Sequence, residues 1–444
     1  MAVVSAQQQE WIKVAWEAVD EGELRQTTLD MASIPSPTGE EATLATYLTE
    51  RLAGLGLQAR YQPIDDHQAN ALGRLEGSGG APDLLLYAPI DTLTTGTAAE
   101  DLPWIGPQLR SDMRPEATVR GEWIVGLGAS NPKGHGACIT EAAAALVRAH
   151  TPLQGNLLVG LGAGGMPNNR RSRAPASRHN AGQGSGCSFM LEQGTYPDFA
   201  IIAKPGWAVA WEEVGLCWFR VVVGGTFNYV GSRHRIPYRN PIVAASTFIQ
   251  EFESWLPAYA ARNTSGLVAP QGNIGYIRSG WEETASLSPA ECTILIDLRV
   301  SPRTSPPYVR RQFGDFVDGV RSRHAGLDVR WEMVLSIPGT STPFDSPVVQ
   351  ACIGAWEAVE GKPHEPMTGT SGATDANILR NRGVPTARVG MPKAIDDQGV
   401  EVDFAMGMNA ADMRHMVALT RVLIHSAIAL CTSGNSSRNA GHVR

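Results

Sequence analysis

Two titratable residues stand where chemistry is to be expected. Asp91 follows the apolar run Leu84-Leu85-Leu86-Tyr87-Ala88-Pro89-Ile90, and Lys204 follows Phe199-Ala200-Ile201-Ile202-Ala203. Two further runs end in glycine turns. Residues 156–162 pass into Ala163-Gly164-Gly165-Met166-Pro167, and residues 386–389 pass into Gly390-Met391-Pro392. Short, nearly continuous apolar runs that end in turn residues read as buried strands. In an open α/β sheet, ligands sit beyond the carboxyl ends of the strands. The active region is therefore expected around Asp91, Gly164, Lys204 and Gly390. A carboxylate and an amine held there can carry protons or stabilise charge on a bound molecule.

Other polar segments offer weaker signals. Residues 126–136 (GLGASNPKGHG) form a glycine-rich turn that opens a helix with an Ala-rich continuation over 139–148. Such a turn can cradle an anion on its N–H groups. No Ser or Thr follows Lys133, so it is not a nucleotide-binding P-loop, and a tight turn bringing backbone against a site is the preferred reading. His135, in the first turn of that helix, reads as a surface or cap residue. Residues 166–185 have no periodicity and carry Arg170, Arg171, Arg173, Arg178 and His179. They read either as a surface insertion or as a basic flap able to close over an anionic substrate.

The elements that must position these groups follow from periodicity. Residues 8–33 have helical texture. Thr38 with Glu41 three residues later has the spacing of a capping box, and Leu44, Leu48, Leu52 and Leu55 then mark a core-facing helix. From Trp211 the pattern becomes β-α-β-β-α-β, a split βαβ unit able to stand as its own small domain. After residue 346 the first texture returns. The expectation is an α/β fold of two domains: a larger mixed-sheet domain from 1–210 and 328–432, and an inserted α+β domain at 211–327. Residues 433–444 are expected to be a disordered tail.

Composition narrows the class. With 444 residues, 43% of them hydrophobic, two globular domains are the better prior. A net charge of −7 argues against a nucleic-acid partner. No uninterrupted apolar stretch reaches the roughly 18 residues of a membrane span, and the N-terminal stretch lacks a signal-peptide core. The cysteines at 138, 187, 217, 292, 352 and 431 are scattered with no CxxC. Free thiols in a cytoplasmic protein are expected.

Taken in order, residues 34–40 (IPSPTGE), the Asp91 strand, residues 128–136, Lys204-Pro205, residues 225–231, Asp297-Leu298-Arg299 and residues 369–375 (GTSGATD) form a series of landmarks. They resemble those of the acetylornithine deacetylase, succinyl-diaminopimelate desuccinylase and glutamate carboxypeptidase family of co-catalytic zinc hydrolases, over nearly the whole chain. The resemblance implies a two-domain zinc-exopeptidase-like fold with a lid that dimerises. It also implies positions for metal ligands, and here the residues depart. The family's His-x-Asp is Pro89-Ile90-Asp91, its bridging Asp aligns with Asn131, and its Glu-Glu pair with Gly164-Gly165. The Glu of its Glu-Pro site aligns with Lys204, and its lid His with Tyr229. The last ligand His falls near residues 401–403, which contain no histidine. Two divalent ions need roughly five carboxylate or imidazole ligands.

What the resemblance leaves in place is the substrate-carboxylate cradle: Gly369, Thr370, Ser371 and Gly372 with Arg299, to which Asn131 and Tyr229 are added as pocket residues. An alternative is that the loop and Arg299 persist for a turn and an internal ion pair. At the reacting centre the candidates are Lys204, Asp91 and Glu401. Lys204 can polarise a carbonyl while Asp91 or Glu401 handles protons, can form an imine, or can merely pair with Asp91. The expected function is a hydrolase-like enzyme acting on an amide or related C–N bond of a small carboxylate-bearing substrate, without the dinuclear centre. The alternatives are an inactive relative serving as a binding or regulatory protein, or an enzyme of metal-free, non-hydrolytic chemistry. No cofactor is expected, and a single weak divalent ion through Asp91, Glu401 or Asp403 stays open. A cytoplasmic homodimer through residues 211–327, with no nucleic-acid or membrane partner, completes the expectation.

Overall fold

The computed structural model describes residues 4–167, 182–392, 394–395 and 408–432. The basic segment 168–181, Glu401 and Asp403, and the tail 433–444 lie outside the described residues. The chain divides into two units. The larger comprises Met1–Trp211, Thr342–Pro366 and Thr374–Arg444, and the smaller comprises Glu212–Ser341 and Met367–Ala373.

The larger unit is built on a six-stranded sheet. In spatial order its strands are Gln58–Pro63, Ala69–Leu75, Leu157–Gly162, Leu84–Pro89, Phe199–Ala203 and Thr386–Val389. The last four are mutually parallel, and Ala69–Leu75 runs antiparallel to both of its neighbours, Gln58–Pro63 and Leu157–Gly162. Every residue of Leu84–Pro89 is buried. That is what a central parallel strand covered on both faces requires, and it is why the run shows no alternation. The helices Lys133–Arg148 and Met413–Cys431 contribute Ile139, Leu146, Leu419 and Leu423 to the core on which the sheet packs. Met413–Cys431 is long and apolar enough to span a membrane by composition, but 72% of it is buried inside the unit, which accounts for its apolarity.

Local expectations needed correction at three points. The helical texture over 8–33 breaks into Ala6–Glu17 and Glu21–Ser33, with Asp20 accepting from the Glu23 N–H as the cap of the second. The helix Ala42–Gly54 forms, but Thr38 does not cap it and Glu41 makes no side-chain cap bond. The domain boundaries also shift. The strand Val329–Ile337 pairs with Gly215–Gly224 in the smaller unit, and Met367–Ala373 belongs there too. The sequence reading places both segments in the larger domain, because sequence order says nothing about which sheet edge a strand completes.

The smaller unit has the β-α-β-β-α-β order. Its antiparallel sheet runs Gly272–Ser279, Glu291–Val300, Gly215–Gly224, Val329–Ile337, and the helices Pro241–Asn263 and Pro306–Arg323 cover one face. Cys292, Ile294, Ile296, Leu298 and Val300 alternate into that core, the period-two burial of a sheet packed on one side. Phe219 and Phe313 stack with ring centroids 4.2 Å apart at its centre. Phe313→Ala is expected to destabilise the protein by about 3–5 kcal/mol, read as a lower urea midpoint; an unchanged midpoint would show that the smaller unit does not depend on this stack.

Candidate active site

Register brings the four parallel strand tips to one end of the sheet. Pro89 lies opposite Gly162, Tyr87 opposite Ile202, and Val389 opposite Ala203. Asp91, the turn 163–166, Lys204 and Gly390 therefore emerge together, as the apolar runs required.

Asp91 is wholly buried. Its Oδ1 accepts from the Gly165 N–H (2.7 Å), and its Oδ2 accepts from the Met166 N–H (3.0 Å) and the Thr38 hydroxyl (2.8 Å). Burial pushes its carboxyl above the ordinary range, against those donors and the Lys204 charge, which pull it down. The turn that supplies the N–H groups is shaped by glycine. Gly164 has φ +63°, and a Cβ on Gly165 would lie 2.3 Å from Pro89 Cβ. No side chain fits at 165 without displacing the strand tip.

Glu41 is the residue that sequence reasoning misread. It is fully buried beneath the same turn, where Oε1 accepts from the Gly39 N–H (2.9 Å) and the Gly164 N–H (3.0 Å). Its Oε2 is buried with no hydrogen-bond partner. Burial first, then the nearby Asp91 charge, hold its carboxyl well above the usual carboxylate range. Of the two carboxyls, Glu41 is the one held further above the ordinary range.

Lys204 is 6% exposed, and its Nζ donates to Asn131 Oδ1 (3.1 Å). It acts on Asp91 through its charge. His135, expected at the surface, is wholly buried. Its Nδ1 hydrogen-bonds Ser130 O (2.7 Å) and its Nε2 accepts from the Met391 N–H (3.1 Å), which defines a neutral ring. Burial lowers its pKa to about 3, with Lys204 and Arg388 adding repulsion. A Cβ on Gly390 would lie 1.8 Å from the Lys204 carbonyl oxygen and 2.7 Å from His135 Nε2, so this glycine allows the close approach. Lys133 is buried under the helix start, with Nζ donating to Ile34 O (2.7 Å), and burial lowers its pKa to about 7. Nothing in the spacing of Glu41, Lys133 or His135 marked them as buried. The one available signal was that polar residues flank a glycine-rich turn.

The carboxylate cradle belongs to the smaller unit. Arg299 Nη1 donates toward Ser371 O (3.5 Å) and Nη2 pairs with Asp297 Oδ2 (3.0 Å). The Ser371 hydroxyl accepts from the Gln271 N–H (3.1 Å), and Thr370 exchanges backbone bonds with Leu267 and Ala269. Arg299 and the loop of Gly369, Thr370, Ser371 and Gly372 are therefore neighbours, with the guanidinium partly engaged by Asp297. Tyr229 is 57% exposed on a short ladder with Leu287. Glu401 lies outside the described residues. Among the described residues, no cluster of three or more His, Cys, Asp or Glu side chains is placed to hold a metal ion.

The model of Peptidase family M20/M25/M40 matches residues 85–403, most of the chain. The protein belongs to that family. Solved structures agree on the fold. A tripeptidase from Staphylococcus aureus is similar at 15% identity and TM-score 0.65, covering 94% of this chain and 100% of its own. The dipeptidase Dug1p from Saccharomyces cerevisiae is similar at 11% identity and TM-score 0.69, with 95% and 99% covered. A dinuclear metal-binding peptidase from Bacillus subtilis is similar at 13% identity and TM-score 0.60, with 93% and 98% covered. The two-domain exopeptidase-like fold expected from the sequence is borne out, and the chain is a peptidase- or amidohydrolase-type hydrolase of the M20 family.

His135 supplies a test of how this M20 site is held. Its folded pKa lies below the unfolded value near 6.5, so its contribution to stability is present above pH ~6.5 and is lost as pH falls toward 3. His135→Ala should cost about 1–3 kcal/mol at neutral pH through two orphaned buried groups, and should flatten the wild-type loss of stability between pH ~6.5 and ~4. Identical pH profiles for the two proteins would refute the buried neutral histidine.

Proposed function

We propose that this M20 protein is a divergent member allied to the acetylornithine deacetylase, desuccinylase and glutamate carboxypeptidase branch. In this reading it cleaves an amide or related C–N bond in a small carboxylate-bearing substrate without the family's dinuclear metal centre. The observation that carries the reading is the seating of the Lys204 ammonium, nearly buried at a strand tip on Asn131, beside a carboxylate anchored by three donors.

The donor set does not suit two divalent ions. At the family's ligand positions stand Pro89, Asn131, Gly164, Gly165 and Lys204. Both oxygens of Asp91 already accept hydrogen bonds, and an ammonium repels a cation. In place of the ions, Lys204 offers a fixed positive charge to a carbonyl oxygen in a site of low dielectric, where such charge is most effective. Water adds to the carbonyl carbon, the C–N bond breaks, and the amine nitrogen takes up the proton. Asp91, walled in by donors, serves as the counter-charge that positions Lys204, which leaves the proton-carrying role to Glu401. Within the smaller unit, Arg299 with Ser371 offers a receptor for a carboxylate. The proposal includes a cytoplasmic homodimer through the smaller unit, whose exposed Tyr229, Val230, Ile242 and Val243 supply apolar contact area.

A second reading, an inactive relative that binds carboxylates, is favoured by the Asp297–Arg299 ion pair, which needs no catalysis to explain it. A panel of N-acyl amino acids separates the two. The enzyme reading expects turnover that resists chelator, protein purified without added metal that carries fewer than two divalent ions per chain, and a loss of about 10²–10³-fold in kcat/KM for Lys204→Met. Turnover lost to chelator, with two stoichiometric ions, would sink it. Carboxylate binding without turnover would select the inactive relative.

A further inference from the structure

The larger unit contains a cavity of about 170 Å³ beside the Lys204 site, and Asn131 is common to both. Its other walls include Leu93, Ile105, Met113, Leu127 and Met408. The cavity is preformed, because the loops around it are tied by hydrogen bonds. Thr92 N donates to Ser36 O (2.9 Å), Leu127 N to Arg114 O (2.9 Å), and Gly128 N to Asn409 Oδ1 (3.0 Å). The Ser130 and Asn131 N–H groups share Met408 O (2.9 and 3.0 Å).

Two of the polar wall residues have side-chain groups engaged elsewhere. The Thr92 hydroxyl donates to Thr94 O (2.8 Å), and the Asn409 amide donates to Asp112 Oδ2 (3.2 Å). Asn131 Oδ1 accepts from Lys204, and its Nδ2 has no protein partner among the described residues. The cavity is therefore mostly apolar, with an amide donor at the end that meets the ammonium. An ordered water needs two to four polar partners, whereas a dry apolar cavity of roughly 150 Å³ is large enough for a benzene molecule.

We propose that this cavity is the subsite for an aromatic or compact branched acyl group, one benzene ring in size, attached directly to the reacting carbonyl. The ring enters between Met113, Leu127 and Met408, and the carbonyl oxygen meets Lys204 Nζ and Asn131 Nδ2. The substrate class is then an aroyl or short branched-acyl amide, and a two-ring acyl group exceeds the volume. The assignment rests on the reading of Lys204 as the carbonyl-polarising group.

The test uses binding, which does not depend on turnover. Benzamide and acetamide share the amide and differ in the ring. Titrated into the full chain carrying carbon-13 methionine methyls, benzamide is expected to bind at least about tenfold more tightly than acetamide, from burial of the ring, and to shift the Met113 and Met408 methyl signals. Leu93→Trp, on a partly exposed wall, is expected to erase that difference. Equal binding of the two amides, or benzamide binding that leaves both methyl signals unmoved, overturns the subsite. The methyl readout on the unaltered protein decides the matter even if Leu93→Trp fails to fold. Benzamide seated at the methionines together with turnover indifferent to Lys204→Met would keep the cavity and remove the catalytic reading. Lys204-dependent turnover with no ring preference would do the reverse.

Discussion

A charge that leaves water must be met by donors or by an opposite charge, and at the carboxyl end of this sheet Asp91 imposes that demand. An ionised carboxylate with no exposure is tolerable only when its lone pairs are filled. Three donors bond its two oxygens, and two of them are N–H groups of a turn that exists because Gly165 carries no side chain. The segment bearing Thr38 is in turn held to the strand extension by paired backbone bonds with Thr92. One buried charge thus sets the path of three chain segments.

The same economy governs the neighbours. Two carboxyls share this dry site, and burial raises the pKa of both, Glu41 the more strongly, while hydrogen-bond donors and the Lys204 charge pull Asp91 back down. His135 locks the helix start to the Gly390 turn as a neutral ring, with both nitrogens committed. A cluster in which most polar atoms already have partners, Glu41 Oε2 and Asn131 Nδ2 excepted, has little freedom to reorganise. That rigidity is what electrostatic stabilisation of a reacting group needs.

The smaller unit owes its stability to different physics. Its core is an aromatic and aliphatic layer under an antiparallel sheet, with Phe248, Phe252, Phe313 and Phe316 drawn from the helices. Its functional candidates sit on strand ends and a loop. Arg299 emerges from the end of a strand whose alternate residues are buried, so its own side chain faces away from the core and toward Ser371. The ion pair with Asp297 follows from the same alternation, since residues two apart share a face of the strand.

How far the sequence carries the argument depends on the range of the interaction. Apolar runs such as Leu84–Pro89 reveal a buried parallel strand, because burial on both faces is written into consecutive residues. The β-α-β-β-α-β texture after Trp211 is legible for a similar reason, and register then brings Asp91, Gly164, Lys204 and Gly390 together. Glu41 was not legible: its spacing from Thr38 matches a local cap, but a bond to Gly164, 123 residues away, overrides it. His135 and Lys133 look like helix-start polar residues until Met391 and Ile34 close over them. The loop of Gly369 to Gly372 joins Arg299 only through a sheet edge completed from distant strands. Composition and periodicity alone determined which elements form and which faces they bury, since those follow from short-range sterics and hydration. Tertiary structure alone decided which polar groups lost their water and who replaced it, because that depends on chain segments hundreds of residues apart arriving at one place.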